Sequence, residues 1–224
     1  MTVQPIIGAL VGMRSEASLL PFDVRATCSG GMVERARVLA EQMLDDGAEA
    51  LLSFGIAGGL VAGLAPGDLV VGTGVELGGA VLVADPTWCR RLSRLLPGSQ
   101  TGLVAASAAV AGTPDAKRQL REATGALAVD LESASVAEAC LARGRPFAVL
   151  RAIADPVHRR IPPAALVGLR PDGTVDANAV IAGLLQRPGD LLVLLTLALE
   201  SRRALSALGA AVRQLGPALG FKAA

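Results

Sequence analysis

The 127–156 stretch, LAVDLESASVAEACLARGRPFAVLRAIADP, constrains the fold of this chain more than any other. It reads as strand, helix, strand. AVDL and FAVLRAIA are short runs apolar enough to be buried, and between them Val136, Ala137, Cys140 and Leu141 recur at helical spacing while Glu138 and Arg143 take the wet face. Gly144 closes the helix and Pro146 precedes the second strand. Two strands joined by a helix are expected to run parallel with a right-handed crossover, which sets their ends side by side at one edge. Asp130, Glu132 and Asp155 then fall at that edge. Charges beside buried apolar strands are costly to place, so three carboxylates there call for a chemical use.

The rest of the chain continues the alternation. Strands are expected over 6–11, 50–54, 68–73, 80–84, 102–106, 126–131 and 147–154, and helices over 32–46, 87–96 and 114–123, the last with Thr113 as cap and Pro114 in its first turn. The expectation is an α/β fold in one domain spanning 1–224, within which 157–224 forms a flap and a C-terminal helical region. The flap is the long proline-containing connection HRRIPPAALVGLRPDGTV, read as a mobile flap or a subunit contact. Two helical pieces follow from Asp176, separated by Arg187-Pro188-Gly189. Hydrophobic residues make up 52% of the chain, aromatics only 2%, and Tyr is absent, so Leu, Val, Ile and Ala must fill the core.

Several function classes are disfavoured. Lys plus Arg number 21 against 20 Asp plus Glu, and no basic stripe joins an aromatic ladder, so nucleic acid is not expected as a partner. His158 is the only histidine, too few for an imidazole-rich metal site, and no metal is expected. The chain has no GxxxxGK[ST] phosphate loop, and SFGIAGG is not a dinucleotide fingerprint. An α/β methyltransferase is disfavoured because no early glycine loop is followed by a ribose-binding acid. Cys28, Cys89 and Cys140 are scattered and read as inert thiols in a reducing compartment. MTVQPIIGALVG lacks the basic start of a secretory signal, and the nine residues between Asp190 and Glu200 in DLLVLLTLALE are too few to span a bilayer. A cytoplasmic protein is therefore expected, with DLLVLLTLALE as a core helix in preference to a subunit contact or a lipid-touching surface.

Four further segments are candidates to meet the acidic edge. GALVGMRSEASLL carries Arg14 and Glu16 after the first strand, and CSGG at 28–31 offers backbone N–H groups of Gly30 and Gly31 to an anion. SFGIAGGL at 53–60 places Gly55, Ile56, Gly58 and Gly59 at a strand end, and PGDLVVGTG turns into another strand.

In this order, VDLESASVAEACLARGRPFAVLRAIAD, SFGIAGGL and PGDLVV resemble the purine nucleoside phosphorylase and methylthioadenosine/S-adenosylhomocysteine nucleosidase superfamily over roughly 6–155. The resemblance implies a three-layer α-β-α phosphorylase/hydrolase-like fold with a twisted mixed central sheet, and cleavage of a ribosyl–purine N-glycosidic bond. It implies that Glu132 holds the ribose hydroxyls, that Asp155 assists the departing base and that Glu16 orients or deprotonates attacking water. Leu131, Gly58, Ile56 and Val110 would line the nucleoside. Gly30, Gly31, Arg14 and Gly55 are the candidate phosphate contacts if inorganic phosphate is a co-substrate; no other cofactor is implied. Asp130 reads as a support for its loop, Arg151 as a support for a neighbouring carboxylate or as a subunit edge, and a homo-oligomer is expected.

The chain departs from the family pattern in three places. Ile56 stands where a small hydroxyl residue often helps, GLVAASAAVAGTP lacks the aromatic residue usual beside the base, and the 75–84 span is short for a substrate-closing loop. With the Ala/Leu-rich tail and GGMVERAR, these features resemble the bacterial hopanoid-associated branch. That branch implies adenosylhopane as substrate, an amphiphile whose lipid body suits an apolar groove or a transient contact with the inner membrane. Cleavage of methylthioadenosine or S-adenosylhomocysteine is the nearest alternative, and a non-catalytic purine-binding paralogue is the alternative from another class.

Overall fold

The computed structural model describes residues 5–166 and 170–222. Residues 167–169 of the expected flap and the first four residues of the N-terminal stretch lie outside them. Eight strands form one mixed sheet: β1 (Ile7–Val11), β2 (Arg25–Cys28), β3 (Ala50–Gly59), β4 (Leu69–Leu77), β5 (Ala80–Val83), β6 (Gln100–Ala106), β7 (Ala128–Asp130) and β8 (Phe147–Asp155). The helices are α1 (Arg14–Ala17), α2 (Val33–Asp45), α3 (Pro86–Leu95), α4 (Pro114–Thr124), α5 (Ser133–Ala142), α6 (Pro163–Leu166), α7 (Ala177–Gln186) and α8 (Leu191–Leu215), with a 3-10 turn at Pro188–Asp190 before α8.

Pairing runs β2-β1-β3-β7-β6-β4-β5, and β8 bonds to both β3 and β4. Strands β3, β7, β6, β4 and β8 therefore close on themselves as a small barrel, with β1 and β2 extending the sheet from β3 and β5 extending it from β4. Closure gives each of these five strands a partner on both sides, and β2 and β5 remain as the edges. Helices α2 and α5 pack on each other and on the sheet, while α8 packs against β8 and β3 with α1 and α3 beside it. The core is aliphatic, as composition requires: Leu10, Leu51, Leu52, Val70, Val71, Val104, Leu150 and Ile153 are fully buried. Cys140 is buried among them, and all three cysteines are free.

Local signals set several boundaries. Thr113 Oγ1 accepts from Ala116 N–H at 3.1 Å and Pro114 opens α4, which stops at Gly125 in a left-handed conformation. Asp85 caps α3 in the same way through Trp88 N–H. The short 75–84 span is a hairpin in which Leu77 pairs with Ala80 across Gly78-Gly79. Both glycines have positive φ, 59° and 91°, as a two-residue primed turn demands.

The expected parallel pairing of the two acid-bearing strands does not occur. β8 runs parallel to β3 on one side, while β7 runs antiparallel to β3 on the other and parallel to β6. Helix α5 thus carries the chain past β3 instead of to an adjacent position. The carboxylates still converge, because Gly58 of β3 registers with Val129 on one flank and with Asp155 on the other. DLLVLLTLALE is not a core helix either. It forms the first half of α8, where Leu192 is 75% and Leu199 57% exposed, and burial becomes regular only from Ala204 onward.

Candidate active site

The foundation of the site is Arg151 of β8, fully buried beneath the carboxylates. Its Nη2 donates to Ser53 Oγ at 2.5 Å and to Ser133 Oγ at 3.2 Å. Its Nε lies 2.6 Å from Asp130 Oδ2, although the N–H does not point along a hydrogen-bond line. Asp130 in turn receives the N–H groups of Glu132 and Ser133 on Oδ1 and Ser133 Oγ on Oδ2. Both side-chain oxygens of Asp130 are thus engaged in holding the turn into α5.

Glu132 stands on that turn. Its Oε1 accepts from Ser29 Oγ at 3.2 Å and its Oε2 is 3.8 Å from Arg151 Nη2. Burial raises its pKa, and the nearby guanidinium opposes the rise. The backbone passes close to both acids at Gly12: a Cβ there would sit 2.9 Å from Glu132 Oε1 and 3.6 Å from Glu16 Oε2.

Glu16 is buried on α1, at the third helical position, and reaches back over the helix start. Its Oε2 accepts from Gly12 and Met13 N–H at 2.9 and 2.8 Å, and its Oε1 from Ile56 N–H at 2.7 Å. Burial outweighs these three donors and pushes its pKa up to about 7. Gly55 makes the arrangement feasible, since a Cβ there would meet Glu16 Oε1 at 2.5 Å and Arg151 Nη1 at 2.8 Å. Ile56 therefore contributes through its backbone, whatever its side chain lacks.

Asp155 ends β8 beside Gly58. Its Oδ2 accepts from Lys117 Nζ at 2.5 Å, and Lys117 is fully buried on α4. Burial pushes the Asp155 pKa up to about 6, against the pull of the ammonium. Neither Lys117 nor Ser29 was among the residues expected here. Lys117 left a faint signal: the chain holds two lysines against nineteen arginines, and this one shares the inward stripe of α4 with Leu120 and Thr124.

One cavity connects the three acids. It is lined by Gly12, Met13, Glu16, Gly31, Ile56, Ala57, Gly58, Ala109, Val110, Ala111, Val129, Asp130, Leu131, Glu132 and Asp155. Glu16, Glu132, Asp155, Leu131, Gly58, Ile56 and Val110 all line it. Of the candidate phosphate contacts only Gly31 reaches the lining, and its N–H is donated to Ser29 Oγ. Gly30 packs against the Pro171 backbone and Gly55 against Glu16. Arg14 is 65% exposed, with its guanidinium turned to Asp172. His158 is exposed as well. Among the described residues, no group of His, Cys, Asp and Glu has the geometry of a metal site.

The sequence profile of the phosphorylase superfamily matches residues 24–168. The chain belongs to the phosphorylase superfamily. No curated protein matches it by sequence. Among solved structures it is similar to S-adenosylhomocysteine nucleosidase from Streptococcus pyogenes in complex with 5-methylthiotubericidin, at 19% identity and a TM-score of 0.66, covering 96% of this chain and 100% of that one. It is similar to 5'-methylthioadenosine/S-adenosyl homocysteine nucleosidase from Helicobacter pylori at 18% identity and a TM-score of 0.67, with 96% and 100% covered. Futalosine hydrolase of the same organism aligns at 18% identity and a TM-score of 0.65, with 95% and 99% covered. At these identities the likeness establishes the fold, the three-layer α-β-α arrangement with a mixed central sheet that the sequence led us to expect.

Proposed function

We propose that the protein hydrolyses the N-glycosidic bond of an adenine nucleoside carrying a bulky apolar 5′ substituent, with adenosylhopane as the substrate in hopanoid biosynthesis. The observation that carries this reading is the placement of three buried carboxylates, Glu16, Glu132 and Asp155, around one apolar cavity. Cleavage leaves positive charge on the ribose and negative charge on the purine, so groups aimed at each developing charge lower the barrier. Glu132, backed by Arg151, accepts the ribose 2′ and 3′ hydroxyls and faces the cationic sugar. Asp155 gives a proton to purine N7, for which its raised pKa suits it. Glu16, with a pKa near neutrality, takes the proton of the attacking water.

Water is favoured over phosphate on electrostatic grounds. The cavity lining contains four carboxylates and no basic side chain among the described residues, so a phosphate dianion would enter against like charge. The Gly12, Met13 and Ile56 N–H groups that could cradle an anion are already donated to Glu16. Solved Helicobacter pylori relatives hold 5'-methylthioadenosine in one case and butyl-thio-DADMe-Immucillin-A in another. In this chain Ala109, Val110 and Ala111 supply an aliphatic rim, and no aromatic residue lines the cavity among the described residues. The apolar outer face of α7 and α8, with Leu185, Leu192, Leu195 and Leu199 exposed, suits brief contact with the membrane that would hold such a substrate.

The deciding experiment incubates purified protein with adenosylhopane, methylthioadenosine or adenosine, with and without inorganic phosphate, and measures free adenine and the sugar product. The expected result is adenine and free ribosyl product without phosphate, fastest from adenosylhopane. Release from methylthioadenosine alone assigns the nucleosidase alternative, release only with phosphate removes the hydrolytic reading, and binding without release leaves a non-catalytic paralogue.

A further inference from the structure

Among the described residues Lys117 is the one buried cation outside the Arg151 cluster, and its surroundings are unusually complete. Its Nζ donates to Asp155 Oδ2 at 2.5 Å, to the Asp155 and Pro156 carbonyl oxygens at 3.1 and 3.0 Å, and to the Arg159 carbonyl at 3.2 Å. These acceptors all belong to the end of β8 and the segment that leaves it, so α4 grips the strand end at the residue where chemistry is proposed. A compact ammonium fits such a cradle, whereas the planar fork of arginine does not. In a chain that uses arginine for nineteen of its twenty-one Lys and Arg residues, lysine at this position points to a requirement for that shape.

We infer that Lys117 is a positioning residue for departure of the base, holding Asp155 through Oδ2 so that Oδ1 carries the proton to the purine and stabilising the carboxylate left behind. The inference rests on the proposed cleavage and adds to it the group that tunes the acid. As the bond from C1′ to N9 breaks, its electrons stay with the purine and the proton on Asp155 Oδ1 moves to N7. Asp155 is then ionised against an ammonium already in place, so no reorganisation is needed at that moment. Release of adenine lets Asp155 regain a proton from water.

The other charged groups around Asp155 do not replace this one. Glu200 of α8 faces it with like charge but is bound by Arg159 through a bidentate pair. Glu132 and Glu16 lie across the cavity, His158 is exposed, and Arg151 is committed to Asp130, Ser53 and Ser133. With Lys117 gone, burial and the like charge of Glu200 would act on Asp155 without an opposing ammonium, holding its proton more tightly and making it a weaker acid.

The test compares Lys117→Met with Asp155→Asn and wild type in adenine release from whichever nucleoside the wild type cleaves, across pH. The expected result for Lys117→Met is a kcat about 10²-fold lower with a small change in KM, and a pH optimum about one unit higher. Lys117→Arg, which keeps the charge, is expected to restore the optimum but only part of the rate. A structural staple would lower stability and leave the optimum in place, which would overturn the inference. Because the chain has only two lysines, a 15N-lysine NMR titration reads the same contact without turnover and without the Met variant. The buried lysine signal is expected to step with a midpoint of about 6 as Asp155 ionises. Absence of that step, or its survival in Asp155→Asn, would equally overturn the inference. Full activity in Asp155→Asn would instead sink the parent reading.

Discussion

At the level of single residues, the three acids were readable because each lies in a stretch whose local pattern is strong. Glu132 and Asp155 end apolar runs, and Glu16 follows a strand and a glycine. Their partners were less readable because the contacts span large sequence separations: Ser29 meets Glu132 across 103 positions and Lys117 meets Asp155 across 38. No periodicity encodes such pairings. The role of Gly55 was equally hidden, since a glycine at a strand end looks the same whether it faces phosphate or makes room for a neighbour's carboxylate. The structure distinguishes these, and a prediction follows. Gly55→Ala places a methyl group 2.5 Å from Glu16 Oε1 and must displace the carboxylate from its Ile56 N–H contact. Adenine release is expected to fall about 10²-fold, as it does when a reacting group is misplaced by about an ångström. KM should change little, because Glu132 and the apolar lining remain. Steady-state kinetics on a folded Gly55→Ala protein checks this, and an unchanged kcat would show that Glu16 is not the base.

Elements with strong periodicity or clear punctuation were found close to their observed bounds, as α4 shows with its threonine cap, first-turn proline and terminal glycine. Those formed by tertiary pairing were not. β2, Arg25–Cys28, is a half-exposed strand with no apolar run to mark it, and it exists because β1 offers a partner along its whole length. β3 runs five residues beyond its expected end at Phe54, through GIAGG, because β8 and β7 bond it on both sides there. Glycine's poor strand propensity is overridden by that double pairing. Helix α8 departs in the opposite sense, because its apolar first half faces outward instead of into the core. That face is testable. Replacing Leu192, Leu195 and Leu199 together with Gln should barely alter stability, because exposed substitutions cost little. If the face meets lipid, wild type should co-sediment with phosphatidylglycerol/phosphatidylethanolamine vesicles and the triple variant should stay in the supernatant, with methylthioadenosine cleavage unchanged within about two-fold. Wild type remaining in the supernatant would remove membrane contact from the proposal.

For the whole molecule, the closed five-strand barrel gathers carboxylates that the chain cannot place without cost, and that cost has a pH signature. Glu16 and Asp155 ionise near their ordinary values of 4.5 and 3.8 in the unfolded chain, whereas the folded protein holds their protons up to about 7 and about 6. Glu132 shifts in the same direction. Between pH ~4 and ~7 the folded state therefore binds more protons than the unfolded state, so stability present at the acidic end of this window is lost as pH rises through the folded pKa values. Asp172 and Asp176 shift the other way, but both are at the surface, where screening leaves them little weight. Thermal unfolding of the ligand-free protein is expected to show a Tm roughly 5–10 °C lower at pH 8 than at pH 5, and the Glu16→Gln, Asp155→Asn double variant should flatten that slope. A wild-type Tm that rises over this interval would mean the acids are not buried as described. Activity is constrained differently, because the proposed cycle needs Glu16 ionised and Asp155 protonated. Their folded pKa values lie in the reverse order, so only a minor fraction of the free protein holds the productive pair of charges, and kcat/KM is expected to be bell-shaped with its optimum between about pH 6 and 7. Rate thus peaks where stability is already declining, which is the compromise expected of a site that keeps three carboxylates out of water.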